Sequence, residues 1–179
     1  MKKVIVTEFI TLDGVMEAPH EWSFPYWGDE IAKFKLDETF ASSALLLGRV
    51  TYLAFAESWP ERTDDTGFAD RFNALPKYVV STTLTEGSWN NTQIIRDNVV
   101  AEIEKLKQGS GGDLVIHGSG RLVNSLVPAN IIDEYRLLVY PIVLGKGQKL
   151  FEEGVKTNLN LVESNAYPSG VVGLTYHPG

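Results

Sequence analysis

The stretch Asp113-Leu-Val-Ile-His-Gly-Ser-Gly-Arg-Leu-Val-Asn-Ser-Leu-Val127 decides how this chain folds. Its first part, Leu114 to Ile116, is a short unbroken apolar run, which is typical of a central strand covered on both faces. A glycine turn follows at residues 117–120, and apolar residues then recur at helical spacing. The stretch therefore predicts a buried strand that passes through a tight turn into a helix.

A junction of this kind can bind phosphate. The first backbone N–H groups of a helix have no partner within the helix, and they lie at the positive end of its dipole. Gly118 and Gly120 would let a pyrophosphate approach the backbone, because a Cβ would hold it away. The third glycine of the dinucleotide fingerprint is missing, and no acidic residue follows at the usual interval. An ordinary strand–turn–helix connection explains the same residues, so both interpretations stay open.

The composition excludes several classes of protein. A chain of 179 residues suits one domain, residues 1–179, and 44% apolar with 22% charged residues is ordinary for a globular protein. The net charge of −7, with no basic block, argues against nucleic-acid and anionic-membrane partners. Without cysteine there is no disulfide, thiolate chemistry or Cys-ligated zinc, and we expect no metal site. Acidic residues interrupt any signal peptide, and no apolar run reaches membrane length, so we expect a cytoplasmic protein.

Strand and helix patterns alternate along the chain. The β-branched run Val4 to Ile10 predicts the first strand, and Asp29 to Ser42 predicts a helix with Ile31, Phe34, Leu36 and Phe40 on its apolar face. Asp97 is expected to cap a later helix. Further strands are expected at 44–47, 77–81, 93–96, 114–116 and 131–144, with a closing antiparallel pair at 159–163 and 171–176. This order predicts an α/β open sheet with antiparallel strands at its end.

Two other strand ends carry groups that suit phosphate. Gly48-Arg49-Val50-Thr51 turns a buried strand into a helix and places a guanidinium and a hydroxyl at the helix start. The strand after it ends in Ser81-Thr82. Ligands of open α/β sheets lie beyond the carboxyl ends of the strands, so three neighbouring ends could hold one dinucleotide. An arginine and hydroxyls, with no acidic residue for the ribose 2′-OH, favour NADPH.

The loop between the first strand and the first helix is unusually aromatic. Trp22, Tyr26 and Trp27 lie in it, close to two prolines. These rings could form a lid over a flat, apolar ligand. They could equally pack onto the core or form an oligomer contact.

Five stretches, in this order, resemble the dihydrofolate reductase superfamily. Within it the chain is most similar to the C-terminal reductase domain of bifunctional riboflavin-biosynthesis deaminase/reductases. The resemblance implies a three-layer α/β/α fold with a mixed, mostly parallel eight-stranded sheet, an NADPH site and a homodimer. The stretches are Ile10-Thr-Leu-Asp-Gly14, Leu46-Leu-Gly-Arg-Val-Thr-Tyr52, Lys77-Tyr-Val-Val-Ser-Thr-Thr-Leu84, residues 116–135, and residues 140–151.

The resemblance also implies where the cofactor would lie. The loop from Asp13 to Trp27 would correspond to the mobile loop that covers the nicotinamide in folate reductases. The adenosine phosphates would lie near Gly48, Arg49, Thr51, Ser81 and Thr82. The pyrophosphate would lie on Gly118, Ser119 and Gly120, with His117, Arg121 and Leu122 as neighbours. The substrate and lid residues would be Trp22, Tyr26, Trp27 and Phe55.

No catalytic acid is assigned by the sequence, although four candidates flank the expected cleft: Asp13, Glu17, Asp29 and Glu30. Folate reductases carry their substrate-binding acid near the start of the helix before the Gly-Arg turn, where Asp29 and Glu30 lie too early and Asp37 too late. The expected function is therefore NADPH-dependent hydride transfer to a small heterocyclic or ribosylated substrate, as in 5-amino-6-(5-phosphoribosylamino)uracil reduction. The alternatives are folate reduction proper and a non-catalytic nucleotide-binding dimeric protein.

Overall fold

A computed structural model describes all residues, 1–179, and places eight strands in one sheet. The strands are β1 (Val4–Thr11), β2 (Ser42–Gly48), β3 (Lys77–Val80), β4 (Thr92–Ile95), β5 (Asp113–His117), β6 (Glu134–Tyr140), β7 (Leu159–Ala166) and β8 (Val172–Pro178). Their order is β4-β3-β2-β5-β1-β6-β8-β7. Strands β1 to β6 pair in parallel, whereas β7 and β8 are antiparallel to their neighbours. The mixed, mostly parallel eight-stranded sheet is thus confirmed.

Helices cover both faces of the sheet. They are α1 (Asp29–Ala41), α2 (Arg49–Ser58), α3 (Phe68–Ala74), α4 (Val99–Lys107) and α5 (Gly120–Leu126), with 3-10 turns at Pro19–Glu21, Phe24–Tyr26 and Val127–Ala129. Apolar residues of α4 and α5 pack on one face of the sheet. Those of α1, α2 and α3 pack on the other face. None of these helices combines the length and apolarity needed to cross a membrane.

The central position of β5 explains its unbroken apolar sequence. It lies between β2 and β1, and Leu114, Val115 and Ile116 are at most 1% exposed. A parallel strand with helices on both faces has no solvent side, so alternation of apolar and polar residues is lost. The predicted central strand is confirmed.

Two predicted boundaries are wrong. The run 131–144 was expected to be one strand, but β6 covers only Glu134–Tyr140. Ile131 and Ile132 are buried just before it, and Pro141 follows it directly, where a missing N–H prevents further pairing. The residue at the N-cap of α4 is Asn98 in a left-handed conformation, so Asp97 lies one residue too early to cap the helix.

The predicted apolar face of α1 is also wrong in part. Ile31 is buried, but Phe40 is 52% exposed. The buried side of the helix carries Lys35 and Glu38 instead, which are 7% and 4% exposed. Charged side chains are almost never fully buried unless they are paired, so this face must be held by specific partners.

The register of the central strands leaves a gap beside β1 at one end of the sheet, which we call the crevice. The last residue of β5, His117, pairs with Thr7 of β1, whereas β1 continues beside β6 as far as Thr11. Glu8 is therefore the first β1 residue with no β5 neighbour. Helix α1 leads from β1 to β2 on one face, and α5 leads from β5 to β6 on the other. The point where the two crossovers leave on opposite faces is the switch point at which open α/β sheets bind ligands.

Candidate functional site

Two strand–turn–helix junctions lock together at the carboxyl edge of the sheet. The Gly48 N–H donates a hydrogen bond of 2.7 Å to the Ser119 hydroxyl, and the Ser119 N–H donates one of 3.0 Å to Thr51 Oγ1. Gly118 has a φ of +62°, and a Cβ there would come within 2.8 Å of Thr51 Oγ1. The turns after β2 and β5 therefore form one unit, which we call the paired turns (residues 48–51 and 118–121).

The paired turns present positive charge and hydrogen-bond donors. Arg49 and Arg121 are exposed at the starts of α2 and α5, and neither guanidinium pairs with a carboxylate. The first N–H groups of α2 also have no partner within the helix. Leu122 is buried beneath the turn, with 5% exposed. Unpaired guanidinium groups beside free backbone donors match the oxygens of a phosphate.

Ser81 and Thr82 lie at the end of the adjacent strand. Strand β3 pairs with β2, so its carboxyl end is next to Gly48. Ser81 is 7% exposed, and its Oγ accepts hydrogen bonds from the N–H groups of Thr83 and Leu84. Thr82 is exposed. The structure thus brings the three predicted strand ends to one edge.

His117 is a neutral side chain in an aromatic environment. Its ring centroid lies 6.4 Å from that of Phe55 and 5.5 Å from that of Phe72, both in edge-on contacts. Burial of the ring, with the nearby charge of Lys35, lowers the pKa of His117 to about 3. The imidazole is therefore uncharged at neutral pH and contributes no cation toward a phosphate.

The aromatic loop divides into a buried and an exposed part. Trp22 is 5% exposed, lies edge-on to Tyr140 at 5.2 Å, and donates from Nε1 to the Glu17 carbonyl. Tyr26 also lies edge-on to Tyr140, at 5.9 Å. Trp27 is 45% exposed, 6.2 Å from Phe9. The loop is anchored in the core by Trp22, while Trp27 remains open to solvent.

Asp13 serves as a hydrogen-bond acceptor in the loop. Its carboxylate accepts from the Thr11 hydroxyl at 2.6 Å and from the N–H groups of Leu144 and Gly145 at 3.3 and 2.8 Å. The Thr11 hydroxyl, followed by these backbone donors, lowers the pKa of Asp13 to about 2. An ionised carboxylate that already accepts several hydrogen bonds is a poor proton donor.

The other three candidate acids are exposed, and Glu17 joins the loop to the turn before Leu150. Glu17 accepts a hydrogen bond of 2.7 Å from the Gln148 N–H, while Asp29 and Glu30 lie in the first turn of α1. The loop also closes over Gly120, because a Cβ there would meet Met16 Sδ at 2.7 Å. A side chain at Gly120 would therefore disturb this packing as well as any phosphate.

Sequence reasoning missed Glu8. It is 5% exposed, and its Oε1 has no hydrogen-bond partner. Burial raises the pKa of Glu8 to about 8, and the charge of Lys35 and the Gly118 N–H oppose this only in part. The one signal in the sequence was a lone acidic residue in an otherwise β-branched, apolar strand. Glu8 is a protonated acid in the crevice at neutral pH.

Lys35 and Glu38 were also missed, and they form an ion pair next to Glu8. Lys35 Nζ lies 2.9 Å from Thr7 Oγ1. Glu38 Oε1 lies 3.3 Å from Arg136 Nη1 on β6. Burial alone would raise the pKa of Glu38, but its neighbours, above all Lys35, outweigh it and hold the pKa below its usual value. The pair is spaced by three residues, which places both side chains on one side of α1.

Two cavities lie away from the paired turns. One of about 290 Å³ lies at the opposite end of the sheet, among Met1, Lys107 and Ile131. Another of about 80 Å³ lies between Phe34 and Tyr167. No cluster of three or more His, Asp or Glu side chains that could hold a metal ion is present in the chain.

A family model described as the RibD C-terminal domain matches residues 2–173. The uncharacterized protein YyaP of Bacillus subtilis is 29% identical over 185 residues, which cover 98% of this chain and 95% of that protein. A deaminase/5-amino-6-(5-phosphoribosylamino)uracil reductase from Thermotoga maritima superposes with a TM-score of 0.67 at 14% identity, over 99% of this chain and 57% of that one. Dihydrofolate reductase from Enterococcus faecalis, solved with NADP(H), gives a TM-score of 0.61 at 17% identity, over 99% and 96%. These two likenesses show the dihydrofolate reductase-like fold.

The raised pKa of Glu8 predicts how stability changes with pH. The folded state holds the proton up to about pH 8, whereas the unfolded state releases it near 4.5. The folded state thus binds more protons between these values, and stability falls as pH rises, by about 1.4 kcal/mol per pH unit at most. We expect Glu8→Gln to remove this decline.

The measurement is urea unfolding of both proteins at several pH values. The free energy of unfolding of the wild type minus that of Glu8→Gln should fall through this window and level off above it. Titration of Lys35, Glu38 and His117 is common to both proteins and largely cancels in the difference. A difference that stays constant with pH would contradict the raised pKa.

Proposed function

Because the chain belongs to the RibD C-terminal domain family, we propose that it is a cytoplasmic, NADPH-dependent reductase of the riboflavin-biosynthesis type. In this proposal a hydride is transferred to a small heterocyclic or ribosylated substrate, as in the reduction of 5-amino-6-(5-phosphoribosylamino)uracil. The bound cofactor supplies the hydride, and the protein binds it, orients it and excludes water.

The observation that carries this proposal is the pair of interlocked turns. Hydrogen bonds between Gly48, Thr51 and Ser119 hold two backbone turns in a fixed relation, and Arg49 and Arg121 flank them without ion-pair partners. Fixed backbone donors and unpaired guanidinium groups are suited to a pyrophosphate and a further phosphate. These residues fit the phosphates of a dinucleotide.

The spacing of the strands also fits a dinucleotide. The carboxyl ends of β3, β2, β5 and β1 are consecutive neighbours, so Ser81 and Glu8 lie about three strand spacings apart, or roughly 14 Å. The paired turns lie between them. An adenosine phosphate toward Ser81 and Thr82 would leave the nicotinamide in the crevice beside Thr7 and Glu8.

The direct test is titration of the purified protein with NADPH and NADH, followed by a screen of acceptors for NADPH oxidation. Binding of NADPH and oxidation with a ribosylated pyrimidine would support the proposal. Oxidation with dihydrofolate alone would favour folate reduction, although Asp29 and Glu30 are exposed. Binding without oxidation by any acceptor would favour the non-catalytic alternative.

Arg49 is proposed to bind the 2′-phosphate. Arg49→Ala should weaken NADPH binding by about 1.5–3 kcal/mol, the net value of a hydrogen bond to a charged group, and NADH binding by less. Calorimetric titration of both cofactors measures the difference.

The matched control is Arg62→Ala. Arg62 lies just beyond the C-terminal end of α2 and stacks on Trp59 at 4.5 Å, so its loss should leave both affinities unchanged. Equal losses of NADPH and NADH affinity in Arg49→Ala would show that Arg49 does not bind the 2′-phosphate.

Trp27 is proposed to close over the nicotinamide and the substrate, whereas Trp22 anchors the loop. Trp27→Ala should therefore change the free energy of unfolding by less than about 1 kcal/mol and remove most of the fluorescence change on NADPH binding. Trp22→Ala should instead cost about 3–5 kcal/mol of stability, because it empties a buried site. A Trp27→Ala protein that melts much lower with an unaltered NADPH response would rule out the lid.

A homodimer is also proposed, and the end of the sheet near β7 supports it. Strand β7 is an edge strand of the sheet, and its consecutive residues Leu161 and Val162 are 56% and 55% exposed. Exposed apolar residues on a free edge favour association with another strand. Leu161→Lys should shift the sedimenting species from dimer to monomer, and Leu53→Lys, an exposed change on α2, should not. Identical sedimentation profiles of the wild type and Leu161→Lys would exclude β7 from the interface.

A further inference from the structure

The carboxyl group of Glu8 is only partly satisfied within the fold, because the Gly118 N–H is its one backbone donor. It lies on β1, one residue beyond the last pairing with β5, in the crevice where the crossovers leave on opposite faces of the sheet. Its Oε1 makes no hydrogen bond, although the residue is 5% exposed. A buried polar group without a partner destabilises the fold, so it is expected where a ligand supplies the partner.

The neighbouring charges do not neutralise Glu8. The ammonium group of Lys35 is bound to Glu38 and Thr7, and Glu38 in turn contacts Arg136. His117, at the end of β5, is uncharged at neutral pH. Glu8 therefore differs from Asp13, which is fully engaged as an acceptor.

We propose that Glu8 is the catalytic acid of this site and that it protonates a substrate with a polarised C=N or C=O bond. This inference rests on the proposed function, because the crevice must hold a reduced nicotinamide as the two-electron donor. Hydride addition to the carbon leaves an electron pair on the nitrogen or oxygen. That atom takes the proton of the Glu8 carboxyl, so the Glu8 O–H bond breaks and a new N–H or O–H bond forms. Water then returns a proton to the Glu8 carboxylate.

The burial of Glu8 suits this role. A general acid is most effective when its pKa lies near the working pH, and burial raises the pKa of Glu8 to about 8. Asp13, with a pKa of about 2, would hold almost no protons at neutral pH. The substrate class that follows is an uncharged imine or carbonyl compound.

The position of Glu8 can be tested without turnover, because the oxidised nicotinamide carries a positive charge that the reduced ring lacks. If Glu8 lies against the ring, its ionised form favours NADP⁺ and has little effect on NADPH. The ratio of the two dissociation constants should therefore change with pH. The 2′-phosphate titrates in both nucleotides and cancels in this ratio.

The experiment is calorimetric titration of the wild type, Glu8→Gln and Glu102→Gln with NADP⁺ and NADPH between about pH 6 and 9.5. In the wild type, NADP⁺ should tighten relative to NADPH by at least about tenfold as pH rises, the low end of the effect of a neighbouring opposite charge. Glu8→Gln should bind both nucleotides, and the ratio of their dissociation constants should not change with pH, because the ionisable carboxyl is gone. The neighbouring groups Lys35, Glu38, His117 and Arg136 are the same in both proteins. Glu102→Gln, a change on α4 at a partly exposed residue, should keep the wild-type slope.

The outcomes separate this inference from the proposed function. The role of Glu8 is overturned if the ratio of the NADP⁺ and NADPH dissociation constants does not change with pH in the wild type, or if it changes equally in Glu8→Gln. Either result leaves cofactor binding intact. A wild type that binds neither nucleotide overturns both. If Glu8→Gln fails to fold, the wild-type slope still decides, because its absence excludes an ionisable acid beside the ring. Once an acceptor is known, Glu8→Gln should lower kcat by about 10²–10⁴-fold with little change in NADPH affinity.

Discussion

The end of β5 depends on two consecutive residues in the left-handed conformation, Gly118 and Ser119, with φ values of +62° and +64°. Glycine adopts this conformation freely, but at Ser119 it costs about 1–3 kcal/mol. The hydrogen bonds from Gly48 to Ser119 and from Ser119 to Thr51 offset that cost. They also fix the turn of β2 against the turn of β5. If β5 continued, it would pair with Glu8 and close the crevice.

The same geometry explains why the two turns that are proposed to bind phosphate could be located from the sequence. Glycines, an arginine and hydroxyls at strand ends are local features, and Gly48, Arg49, Gly118 and Ser119 can be identified from short stretches of sequence. The contact between the two junctions is not local, because it joins residues about seventy positions apart. The sequence indicated both turns, and only the fold shows that the hydroxyls of Ser119 and Thr51 hold them together.

The part of the site around α1 could not be predicted, and the reason is electrostatic. The pattern of Ile31, Phe34, Leu36 and Phe40 suggested an apolar face, yet the buried side of the helix carries Lys35 and Glu38. The partners that make their burial possible lie on other strands, Thr7 on β1 and Arg136 on β6. Hydrophobic periodicity describes which residues favour an apolar environment. It does not describe pairs of charges that are buried together, since each member depends on a distant residue.

Ion pairs in this region form a connected series that runs from the crevice to the surface. Lys35 pairs with Glu38, Glu38 with Arg136, and Arg136 with Glu134, whose other oxygen lies 2.9 Å from Lys3 Nζ. In this series, Glu38 and Glu134 each have a cation on either side. The pKa values of both carboxylates are lowered, although burial opposes this. Glu8 stands next to the first member and has no cation of its own.

The protonation of Glu8 is therefore a consequence of how its neighbours are paired. Lys35 is the one cation in reach, and its ammonium group already contacts Glu38 and Thr7. A second carboxylate at this position would add a buried negative charge without a matching positive one, so Glu8 keeps its proton instead. The ion pair on α1 thus serves two purposes. It allows the helix to bury its polar side against the sheet, and it leaves an uncharged acid at the one point where the sheet opens.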